Sequence, residues 1–422
     1  MPLVYFDASR LFLRAGRLSP SGIDRVVLAY ARWLRAHPDV ELVPVWSRLG
    51  YLSRLPLGRF DAILADAARK AAASLSRAVG GPTWEALTAA LKHPEAASTT
   101  LRATRAPAHV IGEAAGLAAA ALSALQRPFE VRLRPGALFI NVNHYGLEHP
   151  SLLSRLRSAG VRPVVMIHDL IPIDFPEFCS PGAAERHGRR LDGALRHAET
   201  IITNSRSTAD EVIRYAAEQG LGTPTLVPAP LGLETSFLQD APPLEASPYF
   251  VCVGTIEPRK NLAFLLGVWR RLAERRGAST PPLVLVGRRG WENEAVIDQL
   301  ERAPPILRHV HEVNNLPDQA LAQLIRGATA LLSPSFAEGF NLPVIEALSL
   351  GARVIASDIP VHRELAATAT LVDPLDGPGW LAAVEGALVG GLPRRSFASP
   401  RWEAHFERVA AAIGLAPPPA SP

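Results

Sequence analysis

Two carboxylates, Glu338 and Glu346, stand eight positions apart in SPSFAEGFNLPVIEALSLG, residues 333–351. The stretch is otherwise apolar and tightly turned. A strand-like run to Ser335 gives way to a helix that Pro343 can open without losing a hydrogen bond, and that Gly351 can end. On this reading Leu342 is the N-cap, with no oxygen to offer the first-turn N–H groups. Those amides, beside Gly339, Phe340 and Asn341, are then open to an anion. The alternative is a local cap by Asn341. Glu346, in the first turn, can accept two hydroxyl hydrogens from a ribose, and Glu338 can accept hydroxyls of a neighbouring sugar. Taken singly, Glu346 is a glutamate complementing the helix dipole, worth about 0.3–1 kcal/mol, and Glu338 a solvent-facing turn residue. Together, with an open helix end between them, they point to a ligand carrying both an anion and hydroxyls.

A second constellation lies in VCVGTIEPRKNLAFLL, residues 251–266. A strand ends at Gly254, Thr255 follows, and Arg259 and Lys260 come just before the next helix. Two cations at the carboxyl end of a strand are placed to meet a diphosphate, Arg as a bidentate fork and Lys as a point charge. An exposed basic loop is the plainer alternative. Nearer the N-terminus, His168 and Asp169 end the strand VVMIHD. A histidine there can hydrogen-bond a substrate hydroxyl, or it can be a satisfied core histidine. In SPSGIDRV, residues 19–26, Gly22 permits close backbone approach to a ligand.

Several chemistries are excluded by missing patterns. No G-x-x-x-x-G-K-[ST] occurs, and no G-x-G-x-x-G follows a strand, which argues against a P-loop and a dehydrogenase. There is no H-E-x-x-H, no zinc-like cysteine spacing and no Asp-x-Asp, so carboxylate-bound magnesium holding a nucleotide is not expected.

These residues need strand ends to carry them. VRPVVMIHD, AETIITNS and GTPTLVPAPLG form one series of apolar runs. SPYFVCVGT, PPLVLVGRRG, ILRHVHEV, ATALLSPS, ARVIASD and ATLVDP form another, with amphipathic helices between. Continuous runs alternating with helices predict parallel sheets covered on both faces. The Pro-containing SFLQDAPPLEAS, residues 236–247, reads as a linker. The expected organisation is an N-terminal domain over 1–240, with a helical insertion at about 51–130, and a C-terminal domain over 247–395. A final helix over 399–415 is expected to pack back on the N-terminal domain. A cleft between the carboxyl ends of two such sheets is where ligands of open α/β folds bind.

The chain has 422 residues, enough for two or three domains. Its 48% hydrophobic and 20% charged residues are ordinary for a globular protein. The two cysteines, Cys179 and Cys252, fit buried thiols in a reducing compartment. No secretory signal opens the chain. The most apolar stretch, HVIGEAAGLAAAALSALQ at 109–126, contains Glu113 and falls below the roughly 20 residues a membrane span needs. It reads as a buried helix or one lying on a membrane. Residues 1–60 carry nine Arg against four acids. Solvated surface is the default, and an anionic lipid face or a phosphate-bearing substrate is the sharper reading. Nothing suggests nucleic acid.

Together these segments resemble glycosyltransferase family 4, retaining nucleotide-sugar transferases of the GT-B fold. EGFNLPVIE resembles that family's Glu-x7-Glu signature and GTIEPRKNL its phosphate loop; LVLVGRRGW, LIRGATALLSPS and GARVIASDIPVHRELA are similar too. The specific part is about 247–376. SPSGIDRVVLAYARWL, NVNHYGLEHP, HDLIPIDFPE and TNSRSTADEV resemble bacterial polysaccharide-building members, while 51–130 resembles nothing familiar. The resemblance implies an α/β fold of two Rossmann-like domains facing across a cleft. It implies that Glu346 holds the donor's ribose and that Glu338 contacts the transferred sugar, with the amides of Gly339, Phe340, Asn341 and Leu342 around it. Arg259 and Lys260 would hold the diphosphate beside Gly254. His168 would touch the sugar's hydroxyls, and Gly22 and Asp169 would lie on the acceptor side. Thr255 departs from the family, where many relatives have Arg. The implied activity is metal-independent, cofactor-free retaining transfer of a hexose, with mannose the first guess. The donor would be GDP- or UDP-linked, and the acceptor a saccharide, lipid-linked or free, of a bacterial surface polysaccharide. The expected address is cytoplasmic, with peripheral contact to anionic inner membrane. The competing readings are a non-catalytic nucleotide-sugar or polysaccharide-binding protein on the same scaffold, and a phosphorylase, for which no pyridoxal-phosphate lysine stands out.

Overall fold

The computed structural model describes residues 1–14, 22–48, 50–76, 80–94, 100–102, 131–234, 237–238, 242–314, 316–393 and 395–416. The apolar stretch at 109–126 lies outside them, as does most of the loop before Gly22. The chain divides into two compact units. The first is Met1–Ala72, Ala106–Gly232 and Pro400–Pro422; the second is Ala73–Arg105 and Leu233–Ser399.

The first unit is built on a seven-stranded sheet of order β3-β2-β1-β4-β5-β6-β7. Its strands are β1 Leu3–Asp7, β2 Glu41–Arg48, β3 Tyr51–Arg54, β4 Leu138–Asn141, β5 Arg162–Ile167, β6 Thr200–Thr203 and β7 Thr225–Pro228. All pairings are parallel except β2 with β3. Runs such as VVMI and TII are buried on both faces, as continuous β-branched strands require. Tyr5, Phe139, Leu153, Leu191 and Ile201 share one core. The helix Trp402–Ile413 packs against β6 and β7. Within it, Phe406 stacks on Trp33 at 4.5 Å, and His405 bonds the Tyr30 hydroxyl at 2.8 Å.

The second unit holds a six-stranded parallel sheet of order β10-β9-β8-β11-β12-β13. Its strands are β8 Phe250–Val253, β9 Leu283–Val286, β10 Val310–Val313, β11 Ala330–Ser333, β12 Val354–Ser357 and β13 Thr370–Val372. Trp269, Trp380, Leu265 and Leu285 anchor its core.

The expected insertion of 51–130 in the N-terminal domain is corrected in three ways. Tyr51–Arg54 is a strand of the first sheet. The first domain gives way at Gly232, not at 240. Residues 73–105, including the helix Pro82–Lys92, belong to the second unit. The reason lies at the sheet's edge. β10 is a terminal strand, and its unpaired backbone groups must find partners. Glu312 N donates to Leu101 O at 2.9 Å and Arg102 Nη1 donates to Val310 O at 2.6 Å; away from that edge, Ser247 N, ahead of β8, donates to Leu91 O at 3.2 Å.

Most strand bodies are apolar, β10 with buried His311 and Glu312 being an exception, and a set of buried polar residues gathers at or past the carboxyl ends of each sheet. In the first they are Asp7, Asn141, Asn143, His168 and Asn204; in the second Glu257, Ser333, Asn341 and Ser357. Polar groups buried there need hydrogen-bond partners, and those partners define the candidate sites.

Candidate functional site

In the second unit, Gly254 ends β8 with φ 148°, a conformation side chains other than glycine's rarely adopt. A Cβ there would lie 3.2 Å from Lys260 Cε, so the missing side chain makes room for the lysine stem. Opposite, a Cβ on Gly287 would sit 1.9 Å from Gly254 O. Two glycines thus let the ends of β8 and β9 approach and bring the loop to its lysine.

Arg259 and Lys260 lie in a single 3-10 turn, Pro258–Lys260. Both reach Glu338. Lys260 Nζ is 2.6 Å from Glu338 Oε1, and Arg259 Nη1 pairs with Glu338 Oε2. Arg259 also pairs with Glu257, Nη2 to Oε1 at 2.6 Å, and donates to Ala337 O at 2.9 Å. Phe336 N donates to Arg259 O at 3.0 Å, which ties the two loops through their backbones. Burial alone pushes the Glu338 carboxyl up, but Arg259 and Lys260 reverse this and hold it well below the usual carboxylate range. Glu338 is therefore not the solvent-facing turn residue of the plainer reading. Nor are Arg259 and Lys260 an exposed basic loop, since their side chains are 20% and 11% exposed.

The helix Leu342–Ser349 opens one residue earlier than the sequence suggests. Its N-cap is Asn341, at φ 62°, with Leu342 inside and Pro343 in the first turn. Asn341 does not cap with its side chain. It donates instead to Ser333 Oγ and to His362 Nε2, each at 2.8 Å. The N–H groups of Phe340 and Leu342 meet no acceptor among the described residues. Glu346 is buried on the same short helix, as its fifth residue and so just past the first turn in which the sequence reading puts it. Thr255 lies near Gly290, where a Cβ would come within 2.8 Å of its methyl.

In the first unit, His168 is buried just past β5, with Nε2 2.9 Å from Val142 O. A carbonyl only accepts, so Nε2 carries the hydrogen and Nδ1 is the ring's acceptor. His144, at φ 68°, places its Nε2 2.9 Å from Met166 O. The rings are 5.0 Å apart, so each histidine holds the strand end that carries the other. Below them, Asn141 Oδ1 accepts from Asn143 N and His144 N, and Asn141 Nδ2 donates to Asp7 Oδ2 at 3.1 Å. Burial lowers the pKa of both histidines. Asp169 accepts from Ile171 N at 3.2 Å and, through its carbonyl, from His187 Nε2 at 2.9 Å. Gly22 begins the helix Gly22–Ala36, whose Asp24 pairs with Arg10.

The structure thus brings Gly254, Arg259, Lys260 and Glu338 together beside the loop of Gly339, Phe340, Asn341 and Leu342. His168, Asp169 and Gly22 belong to the other unit. Sequence reasoning missed Glu257, His362 and Ser333 around the first group and Asp7, Asn141, Asn143, His144 and His187 around the second. The signal for the second set was in NVNHYG, three polar residues at a strand end. Among the described residues, no group of three or more His, Cys, Asp or Glu could hold a metal ion, and no helix is long and apolar enough to cross a membrane.

Residues 247–388 match the family described as Glycosyl transferases group 1. The chain is 30% identical over 231 residues to the Serotype-specific mannosyltransferase WbdA of Escherichia coli, covering 51% of this chain and 28% of that protein. It is 30% identical over 230 residues to the O-antigen chain mannosyltransferase B of Escherichia coli, covering 51% of this chain and 58% of the relative. The chain therefore spans between about a quarter and three-fifths of these relatives' lengths. Among solved structures, Anabaena HepE in complex with UDP aligns with a TM-score of 0.55 at 14% identity, over 98% of this chain and all of that one. At that identity the likeness establishes the fold, GT-B, and the expectation of two Rossmann-like α/β halves stands.

Proposed function

Starting from a second unit that carries the group 1 glycosyl transferase signature, we propose that the chain is a retaining, metal-independent hexosyltransferase of the family 4 type. It moves a hexose, mannose first among the candidates, from a GDP- or UDP-linked donor to a saccharide acceptor of a bacterial surface polysaccharide. The mannosyltransferase relatives support the sugar and the polysaccharide. The observation that carries the reading is the convergence of Lys260, Arg259 and Glu338 beside unbonded amides at a helix N-terminus, inside the matched segment.

The chemistry follows from charge. Cleavage of the anomeric C–O bond leaves an oxocarbenium-like sugar and a diphosphate that gains negative charge. Lys260, Arg259 and the N–H groups of Phe340 and Leu342 are oriented donors for that charge, and such donors stabilise it most where water is excluded. They supply the stabilisation a divalent ion gives elsewhere, which accords with the missing Asp-x-Asp. As the acceptor oxygen bonds to the anomeric carbon from the face the diphosphate leaves, its proton passes to the departing phosphate oxygen. Configuration is kept and no cofactor is needed.

Glu338 has a double assignment. Without ligand it neutralises both cations; when a diphosphate takes a share of them, its carboxylate can turn to a hydroxyl of the transferred sugar. Glu346 accepts from the ribose. In the first unit, His168 accepts a sugar hydroxyl hydrogen at Nδ1, and Gly22 and Asp169 lie on the acceptor side. A lipid-linked acceptor and peripheral contact with anionic membrane are supported by the arginine surplus of residues 1–60.

The test is a panel of GDP- and UDP-sugars scored by nucleotide release, with and without chelator. Release from one donor, unchanged by chelator and increased by a saccharide acceptor, is expected. No release from any donor, or complete loss with chelator, contradicts the proposal.

A further inference from the structure

His362 lies outside every segment in which a ligand-binding residue was expected. It is 1% exposed in the short helix Pro360–Leu365, just past β12. Its Nδ1 is 2.7 Å from Ser357 O, and its Nε2 is 2.8 Å from Asn341 Nδ2. The first contact decides the tautomer. A carbonyl oxygen cannot donate, so Nδ1 carries the hydrogen, and in the neutral ring Nε2 is left as an acceptor. Asn341 must then present its NH2 group to His362, and its second N–H goes to Ser333 Oγ at 2.8 Å. The Asn341 amide is thus fixed at both hydrogens, between the end of β11 and the end of β12.

Asn341 is also where the chain turns. At φ 62°, ψ 63° it has a left-handed backbone, which costs a non-glycine residue energy unless its surroundings hold it. It is the N-cap of the helix Leu342–Ser349, and its two neighbours, Phe340 and Leu342, own the unbonded N–H groups. The Leu342 N–H lies in the peptide plane that follows Asn341, so its direction relative to the preceding loop is set by the Asn341 backbone angles. Those angles are held by a side chain whose partners are His362 and Ser333.

We infer that His362 is a positioning residue for the diphosphate: as a neutral Nδ1–H imidazole it holds Asn341 in the left-handed turn that aims the Leu342 amide. The inference rests on the proposed nucleotide-sugar reading for its ligand, though not for its geometry. His362 touches no ligand itself. Burial favours the neutral ring this role needs, against the raising influence of Ser357 O and Glu338.

Two substitutions separate this role from simple core packing, because each keeps one of the two ring contacts. In His362→Gln the side-chain carbonyl stands near the Nε2 position and accepts from Asn341. In His362→Asn the amide stands near the Nδ1 position and donates to Ser357 O, while Asn341 loses its acceptor. Two readouts apply to the full chain: calorimetric affinity for UDP and GDP, and backbone hydrogen exchange without ligand at Val344 and Ile345, whose N–H groups donate to Asn341 O. His362→Asn is expected to weaken the better nucleotide by about tenfold, the order of one lost hydrogen bond, and to speed exchange at Val344 and Ile345. His362→Gln is expected to restore most of both. In an Asn341→Gly background, which accepts the turn without a side chain, His362→Asn should add no further loss.

The inference is overturned if His362→Asn leaves exchange and affinity at wild-type values. It is equally overturned if the two variants lose both to the same extent, or if the loss persists undiminished in the Asn341→Gly background. If the wild-type chain binds neither nucleotide, the ligand reading falls, and the exchange measurements alone still decide whether His362 holds the turn.

Discussion

Lys260 and Glu338 form a buried ion pair, 2.6 Å from Nζ to Oε1, with side chains 11% and 6% exposed. They come from loops 78 residues apart in sequence, after β8 and after β11, which are adjacent strands of one sheet. A pair so enclosed contributes to the fold, and on the proposed reading it also meets the diphosphate. Removing either partner unbalances a buried cluster in which Arg259 also pairs with Glu338 and Glu257, so the loss should reach at most about 3–5 kcal/mol, that of a broken isolated pair. Lys260→Ala and Glu338→Ala should therefore abolish transfer and also lower the melting temperature of the second unit. Thermal melts beside turnover assays check this; wild-type melting with lost turnover would mean that the pair is not structural.

Acid should act on the same pair. Glu338 has a folded-state pKa depressed below its ordinary value, chiefly by Arg259 and Lys260 acting against burial. Its contribution is present at neutral pH and is lost as pH falls below the ordinary carboxylate range. Urea melts of wild type and Glu338→Gln across that range should converge at low pH. Parallel curves would contradict the assignment.

His405 gives the first unit a separate acid limit. Burial among Tyr30, Ala229 O and Pro230 O lowers its pKa from 6.5 to about 4. Between those values the unfolded chain holds a proton that the folded chain lacks, so stability falls as pH drops below 6.5 and the loss levels near 4. The full loss is about 3 kcal/mol. The buried histidines His144, His168 and His187 act in the same direction. In Tyr30→Phe the ring keeps its two carbonyls, and the acid slope should remain; a flat profile between pH 4 and 6.5 would refute the account.

Gly287→Ala should be among the most damaging single changes in the second unit. Its Cβ would fall 1.9 Å from Gly254 O, a backbone atom that can move only with β8. Overpacking of this kind costs roughly 1–3 kcal/mol or more, and the displaced loop carries Lys260. Lowered stability together with weakened nucleotide binding is expected, measured by melts and calorimetry; unaltered affinity would separate the glycine from the site.

His168→Gln and His168→Asn should differ. Gln can keep the donation to Val142 O that Nε2 makes, and it loses only the Nδ1 acceptor. Asn does the reverse: its amide oxygen stands near the Nδ1 position and can keep that acceptor, while the anchor to Val142 O is lost. Turnover should fall in both, with stability falling further in Asn. Equal melting temperatures would show that the Val142 contact contributes little.

The parallel sheets are legible because short apolar runs, such as VVMI and ALLS, alternate with amphipathic helices along both halves. Arg259, Lys260 and Glu338 were legible as residues, since charges at the carboxyl ends of such strands demand a reason. Their pairing was not: 78 positions separate Lys260 from Glu338, and only the adjacency of β8 and β11 joins them. His362 escaped for the same cause, being 21 positions from Asn341. The cap was misplaced by one residue because Asn341 spends its side chain on Ser333 and His362. The affiliation of residues 73–105 could not be read either, since helical periodicity says nothing of which sheet edge a segment will cover.

The central claim is that Lys260, with Arg259 and the unbonded amides of Phe340 and Leu342, grips a pyrophosphate without a metal ion. Calorimetric titration of UDP and GDP in excess chelator, into wild type and Lys260→Met, tests it most directly. The account predicts binding of at least one nucleotide by wild type and its loss in the variant. Equal binding by both proteins, or binding that needs added magnesium, would contradict it.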